Sequence, residues 1–244
     1  MTVTERARRT RWVAGSAVAL AVLFAGAATV ASARDDGAEH HAAATAPRTP
    51  AADSADAGFA RDMAVHHQQA VEMSFIVRDR TKDEDVRRLA YDIANTQANQ
   101  RGMLLGWLDL WELPKVAAGQ EPMAWMDGQH GDHDGHDMGD MGGMDGMSGS
   151  GGGYQARDGS LMPGMATRTE LDRLRKASGK QAEILYLQLM TDHHKGGVDM
   201  ARGCVNLCTV KAEKRLAQGM VAAQQSELDA MAEMLAQRGA APRS

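Results

Sequence analysis

Cysteine is almost absent from this chain: Cys204 and Cys208 are the only two in 244 residues, which excludes a disulfide-rich scaffold. A strong excess of one charge is also missing. The net charge of -5 advertises no nucleic-acid partner. Few β-branched residues alternate with polar ones, so no sheet is expected. No Glu-x-x-His occurs anywhere, and a ferritin-like di-metal oxidase draws its ligands from two such motifs plus further inward glutamates. Nucleophile constellations and phosphate loops are equally absent, so a binding protein is expected and not an enzyme. Lys and Arg vanish altogether between Lys115 and Arg157.

The N-terminus speaks to location. Arg6, Arg8, Arg9 and Arg11 precede an apolar run from Trp12 to about Val30, and Ala31-Ser32-Ala33 supplies the small-x-small pattern of a signal-peptidase site. Residues 1–33 are read as an export signal, with an uncleaved membrane anchor as the alternative, because about 20 apolar residues span a bilayer. The run is not followed by a cysteine that a lipid could modify. Residues 34–54, rich in Ala, Pro, Asp and Thr, read as a disordered spacer, and His40-His41 within it as a solvated tail or a weak metal site. The chain is expected to act outside the cytoplasm, secreted or in the cell envelope.

Helical periodicity then runs from about Asp56 to Asp79 and from Glu84 to Trp111, before Pro114. After a Gly/Asp/Met/His-rich stretch, Thr167 and Glu170 form a capping-box start for a short helix ending near Ser178-Gly179. Two long segments follow, about Gln181 to Leu207 and Val210 to Gln237. The predicted domain therefore covers residues 55–238, with 115–160 as a flexible insertion and 239–244 as a disordered tail.

An internal repeat carries the most information. Asp62-Met-Ala-Val-His-His-Gln-Gln-Ala-Val-Glu-Met73 aligns with Leu189-Met-Thr-Asp-His-His-Lys-Gly-Gly-Val-Asp-Met200, and the register persists without a gap into the next helix, where Gln97 meets Gln224. A hairpin has been duplicated. Each hairpin alone leaves an apolar stripe bare, so the fold class predicted is all-α: an antiparallel four-helix bundle of the ferritin-like sort.

At about 100° per residue, Met63, His66, Ala70 and Met73 share one stripe, as do Met190, His193, Gly197 and Met200. Small residues at 70 and 197 leave room beside the imidazoles. Imidazole suits several transition metals, whereas thioether sulfur selects Cu(I) or Ag(I), so the set points to copper as Cu(I), Cu(II) or both. The bland alternative is a core in which Met fills space and His is hydrogen-bonded. His67 and His194 lie about 100° away, placed to orient the site or to face a groove between helices. In the insertion, His130, His133 and His136 recur every third residue and Met138, Met141, Met144 and Met147 continue the spacing among aspartates. Such a chain wraps cations without a preformed scaffold. Met123, Met126, Met162 and Met165 extend the pattern at its edges.

On these residues the chain resembles the bacterial family called domain of unknown function 305, whose repeated helix reads Met-x-x-His-His-x-x-Ala-x-x-Met. The resemblance covers roughly residues 55–112 and 161–236, and includes Met162-Pro-Gly-Met165 and Gln224-x-x-Glu227. It implies a ferritin-like bundle and, for some members, extracytoplasmic copper binding and copper tolerance. Three positions depart from it: Gly197 replaces Ala, Gln100 stands where the second half has Glu227, and Cys208 takes a helix-ending position often filled by Gly. That last position bears on the cysteines. Both fall near the Met200 stripe as candidate thiolate ligands, but a helix that stops at 208 frees Cys208 to turn back on Cys204, and an exported compartment preserves disulfides. A disulfide is expected.

Overall fold

The computed structural model describes residues 49–126 and 154–243. Five helices follow in order: α1 (Ala55–Arg78), α2 (Glu84–Leu110), α3 (Arg168–Lys176), α4 (Gly179–Leu207) and α5 (Lys211–Gln237). Among the described residues there is no strand, and no helix is long and apolar enough to cross a membrane.

Helix ends follow the local chemistry that sequence suggests. Ser54 accepts from the Ala57 amide (3.2 Å) and Asp83 from Val86 (3.0 Å), each satisfying an orphan donor of a first turn. The capping box at Thr167 and Glu170 is formed in both directions. α5 has no cap of its own. Asp56, from the first turn of α1, reaches across instead: its Oδ1 accepts from the amides of Thr209 (2.8 Å) and Val210 (2.7 Å), and its negative charge suits the helix N-terminus.

α1 pairs with α2, α4 with α5, and α1 lies against α4 with α3 touching both. α1 and α4 run antiparallel, because Met63 near the start of α1 shares one apolar cluster with Met200 and Cys204 near the end of α4, while Met73 shares a second with Met190 and Tyr186. Each fully buried Met or Leu contributes roughly 1.5–3 kcal/mol, so this central seam fixes the bundle. The segment after α2 folds back over α1. Asp62 Oδ2 accepts from the Met123 amide (2.7 Å) and from Trp125 Nε1 (2.9 Å), and the Trp125 ring meets Phe59 edge-on at 5.8 Å. Gly58 is required beneath it, since a Cβ there would lie 2.6 Å from Trp125.

Candidate metal centre

The two His–Met stripes that align in sequence meet at the middle of the α1–α4 seam. His66 and His193, equivalent positions in the two repeats, stack across it with ring centroids 3.7 Å apart. Antiparallel packing then places Met63 and Met200 on one side of the pair, and Met73 and Met190 on the other. All four imidazoles and all four thioethers are fully buried.

The outer histidines are oriented by the flanking helices. His67 Nε2 donates to Gln100 Oε1 of α2 (2.8 Å), and His194 Nε2 donates to Glu227 Oε2 of α5 (2.7 Å). The repeat is thus symmetric in geometry and asymmetric in charge. His193 Nε2 donates to the His66 carbonyl (2.9 Å). Five ring nitrogens make no hydrogen bond of good geometry: Nδ1 of His67, His193 and His194, and both nitrogens of His66, which has the Pro163 carbonyl near its ring.

Unpartnered buried polar atoms cost about 1–3 kcal/mol each, and a concentration of them asks for an explanation such as an ion. Burial, reinforced by the neighbouring imidazoles of His67 and His194, pushes His66 down to about 3, against a small opposing effect of the Pro163 carbonyl. Burial likewise lowers His67 to about 3 and His193 well below its ordinary value. Neutral imidazole is the form that ligates metal. Burial here therefore holds these imidazoles in the neutral form that a metal would require.

The donor set fits a soft transition metal, with imidazole and thioether in one dry seam. Among the described residues, the His, Cys, Asp and Glu ligand atoms come together in threes only at Cys204, Cys208 and Glu213. A site on the seam therefore draws on imidazole together with thioether. When bound, the metal would supply a soft cation to these otherwise unpartnered donors.

Several placements differ from the sequence expectation. The room expected beside His193 at Gly197 is filled: a Cβ there would lie 2.5 Å from Gln224 Oε1. Gln224 and its repeat partner Gln97 are buried with both amide atoms unpartnered; their alignment in the repeat, and for Gln224 the family resemblance, were the signals that marked them. The Met162–Met165 segment was legible as an extension of the methionine spacing and as a family feature, and not as part of the core. Met162 is buried against Met63 and Met200, while Met123 and Met165 pack at the edge of that cluster. Gly164 and Gly196 let this segment press onto α4, since a Cβ on Gly196 would lie 2.2 Å from the Pro163 carbonyl oxygen. Gln69 locks it there through paired hydrogen bonds with Ala166, 2.9 and 2.7 Å. Cys204 and Cys208 are bonded to each other, S–S 2.09 Å, with α4 ending at Leu207. The export segment, His40-His41 and the insertion ligands His130, His133, His136, Met138, Met141, Met144 and Met147 lie outside the described residues.

The profile of the family described as domain of unknown function (DUF305) matches residues 56–235. The chain belongs to this family. A DUF305 protein from Streptomyces coelicolor, described as secreted, has a crystal structure similar to this one at 58% identity and a TM-score of 0.64, covering 80% of this chain and 99% of that one. A DUF305 fragment from Deinococcus radiodurans is 24% identical with a TM-score of 0.54, covering 75% and 96%. CopM in its Cu(I)-bound form is 17% identical with a TM-score of 0.51, again covering 75% and 96%, and shares the fold. No curated protein matches the chain.

Proposed function

We propose that this DUF305 protein is an exported copper-binding protein that sequesters or hands on the ion outside the cytoplasm, without catalysing a reaction. The observation that carries the reading is the buried His66–His193 pair, with orphaned ring nitrogens and four thioethers along one seam. Copper is the first ion to test because thioether sulfur favours Cu(I) and because a protein of this fold exists in a Cu(I)-bound form. Export rests on the N-terminal segment and on the S. coelicolor relative described as secreted. The Met/His insertion is assigned the role of a weaker collector of several ions.

The test replaces His66 and His193 together by Ala and measures Cu(I) binding by competition with a chromophoric chelator, with circular dichroism as the folding control. The tightest site should disappear while the helical signal remains. Unchanged affinity in a folded double variant would sink the core site. Absence of any binding by the unaltered bundle would favour a cell-envelope interaction module.

A further inference from the structure

The duplication provides an internal control for every position in the second hairpin. Val77, Thr81 and Val86 in the first stand where Cys204, Cys208 and Glu213 stand in the second. All six are buried. In the first hairpin this corner is closed by two valines and by Thr81, whose hydroxyl accepts from the Asp83 amide (3.0 Å) and donates to Glu183 (2.5 Å). Every polar atom of that side chain is used. None of the three equivalent positions in the first hairpin thus carries a sulfur or a carboxyl group, the carboxylate there coming from Glu183 outside the set, yet the second hairpin puts two sulfurs and a carboxyl at them.

These three groups converge. The two Sγ atoms and a Glu213 carboxyl oxygen all lie within 4.8 Å of one another. Glu213 is fully buried, neither of its oxygens makes a hydrogen bond of good geometry, and the Asp56 carboxyl group lies beside it. α4 stops at Leu207 and Cys208 turns into an extended conformation, φ -64 and ψ 149, which brings its sulfur back over Cys204. Only three residues, 208–210, separate α4 from α5, so Glu213 in the first turn of α5 is held against the same spot. With metal–sulfur bonds of about 2.3 Å and metal–carboxylate bonds of about 2.0–2.2 Å, one ion holds two sulfurs roughly 3.5–4 Å apart, so the two sulfurs, 2.09 Å apart while bonded to each other, must separate before they can share it. Two carboxyl groups buried side by side, Glu213 and Asp56, are costly unless a proton or a cation lies between them.

We propose that Cys204, Cys208 and Glu213 are the donors of a buried site for a thiophilic cation, occupied only when the two sulfurs are not bonded to each other. The site is separate from the His–Met seam and does not rest on it. Opening it transfers two electrons and two protons from a dithiol to the Cys204–Cys208 bond; the dithiol becomes a disulfide and the two cysteines become thiols. The cation then displaces the thiol protons and gains Glu213 as third donor. In the other direction, a chain that takes up the ion before its thiols are oxidised is held back from forming the disulfide. Thiolates suit both Cu(I) and Zn(II), and the carboxylate is the better match to the divalent ion.

The full chain is reduced with a dithiol in denaturant, refolded without oxygen, freed of reductant and titrated with Cu(I) alone and with Zn(II) alone. The oxidised chain is titrated beside it. Reduced protein should bind one more ion per chain than oxidised protein, and that ion should shield both thiols from alkylation. Extra Zn(II) identifies a divalent three-donor site; extra Cu(I) alone identifies a monovalent one. Glu213→Val, which installs the first hairpin's residue, should fold and keep both thiols while binding the extra ion roughly tenfold or more weakly, the lower end of the effect of losing a metal-site partner. Equal stoichiometry in reduced and oxidised protein overturns the proposal, as does unchanged affinity in Glu213→Val. Failure of the His–Met seam is read separately, from the stoichiometry of the oxidised chain.

Discussion

Replacing Glu213 by valine should make the oxidised, metal-free protein more stable. Burial, with the Asp56 carboxylate beside it, raises the Glu213 carboxyl from its ordinary 4.5 to about 9. At pH 7 the unfolded chain leaves this group ionised, whereas the folded chain must protonate it. Each pH unit between the ordinary value and pH 7 costs about 1.4 kcal/mol, so the penalty is on the order of 3 kcal/mol. The folded state binds more protons than the unfolded state between pH 4.5 and about 9. This group's cost is therefore absent below that window, grows as pH rises through it and is complete above it. Valine removes the cost and the pH dependence together, and Val86 demonstrates that the corner accepts it. For a domain of this size each kcal/mol moves Tm by about 2–4 °C, so a gain of several degrees is expected at pH 7. Urea unfolding followed by circular dichroism at pH 5, 7 and 9 gives the measurement. An advantage for Glu213→Val that fails to grow with pH, or a variant no more stable than the parent at pH 9, would refute the reasoning.

Glu227→Gln makes the two outer histidines equivalent, since His67 already donates to Gln100. Cu(I) affinity should fall roughly 10- to 100-fold, as when the partner of a ligating histidine is lost, and Glu227→Asp should recover part of it; equal affinity in a chelator competition would count against a positioning role for Glu227. Deleting residues 128–150 should lower the number of copper ions bound, by elemental analysis of the exported protein, with little change in the helical signal. Identical stoichiometry with and without the segment would remove the collector role.

Much of the bundle was legible because its periodicity is local. The boundaries of α1, α2 and α5 fall within a residue or two of where apolar spacing and the Pro114 stop put them, and Thr167 with Glu170 forms the expected capping box. The family assignment was legible for a different reason. A doublet flanked by the same Met and Val in two copies cannot arise from composition alone, and residues 56–235 do match the family.

The site was only half legible. Stripes of His and Met follow from 100° steps along one helix, but the hydrogen-bond partners of those histidines sit on other helices. Gln100 and Glu227 were visible as a departure from symmetry, with no indication that each accepts from the second histidine of its own hairpin. Gly197 read as room beside the imidazole of His193, and the Gln224 carboxamide occupies it. Glu213 carried no signal at all, because a glutamate in the first turn of a helix is ordinarily a solvated group that complements the dipole.

What the sequence by itself determined is therefore whatever depends on spacing along one chain: five helices, the Thr167–Glu170 capping box, the internal sequence repeat, and the sharing of a face by Met63, His66 and Met73, and by Met190, His193 and Met200. The tertiary structure alone decided which residues become neighbours at large separation. Antiparallel docking of α1 on α4 stacks His66 against His193, and the tight α4–α5 turn presses Glu213 against a buried disulfide with Asp56 beside it. Burial is a property of that assembled environment. The same imidazole or carboxyl group is an ordinary titrating side chain on a lone helix, and becomes an unpartnered donor only when another helix excludes its water.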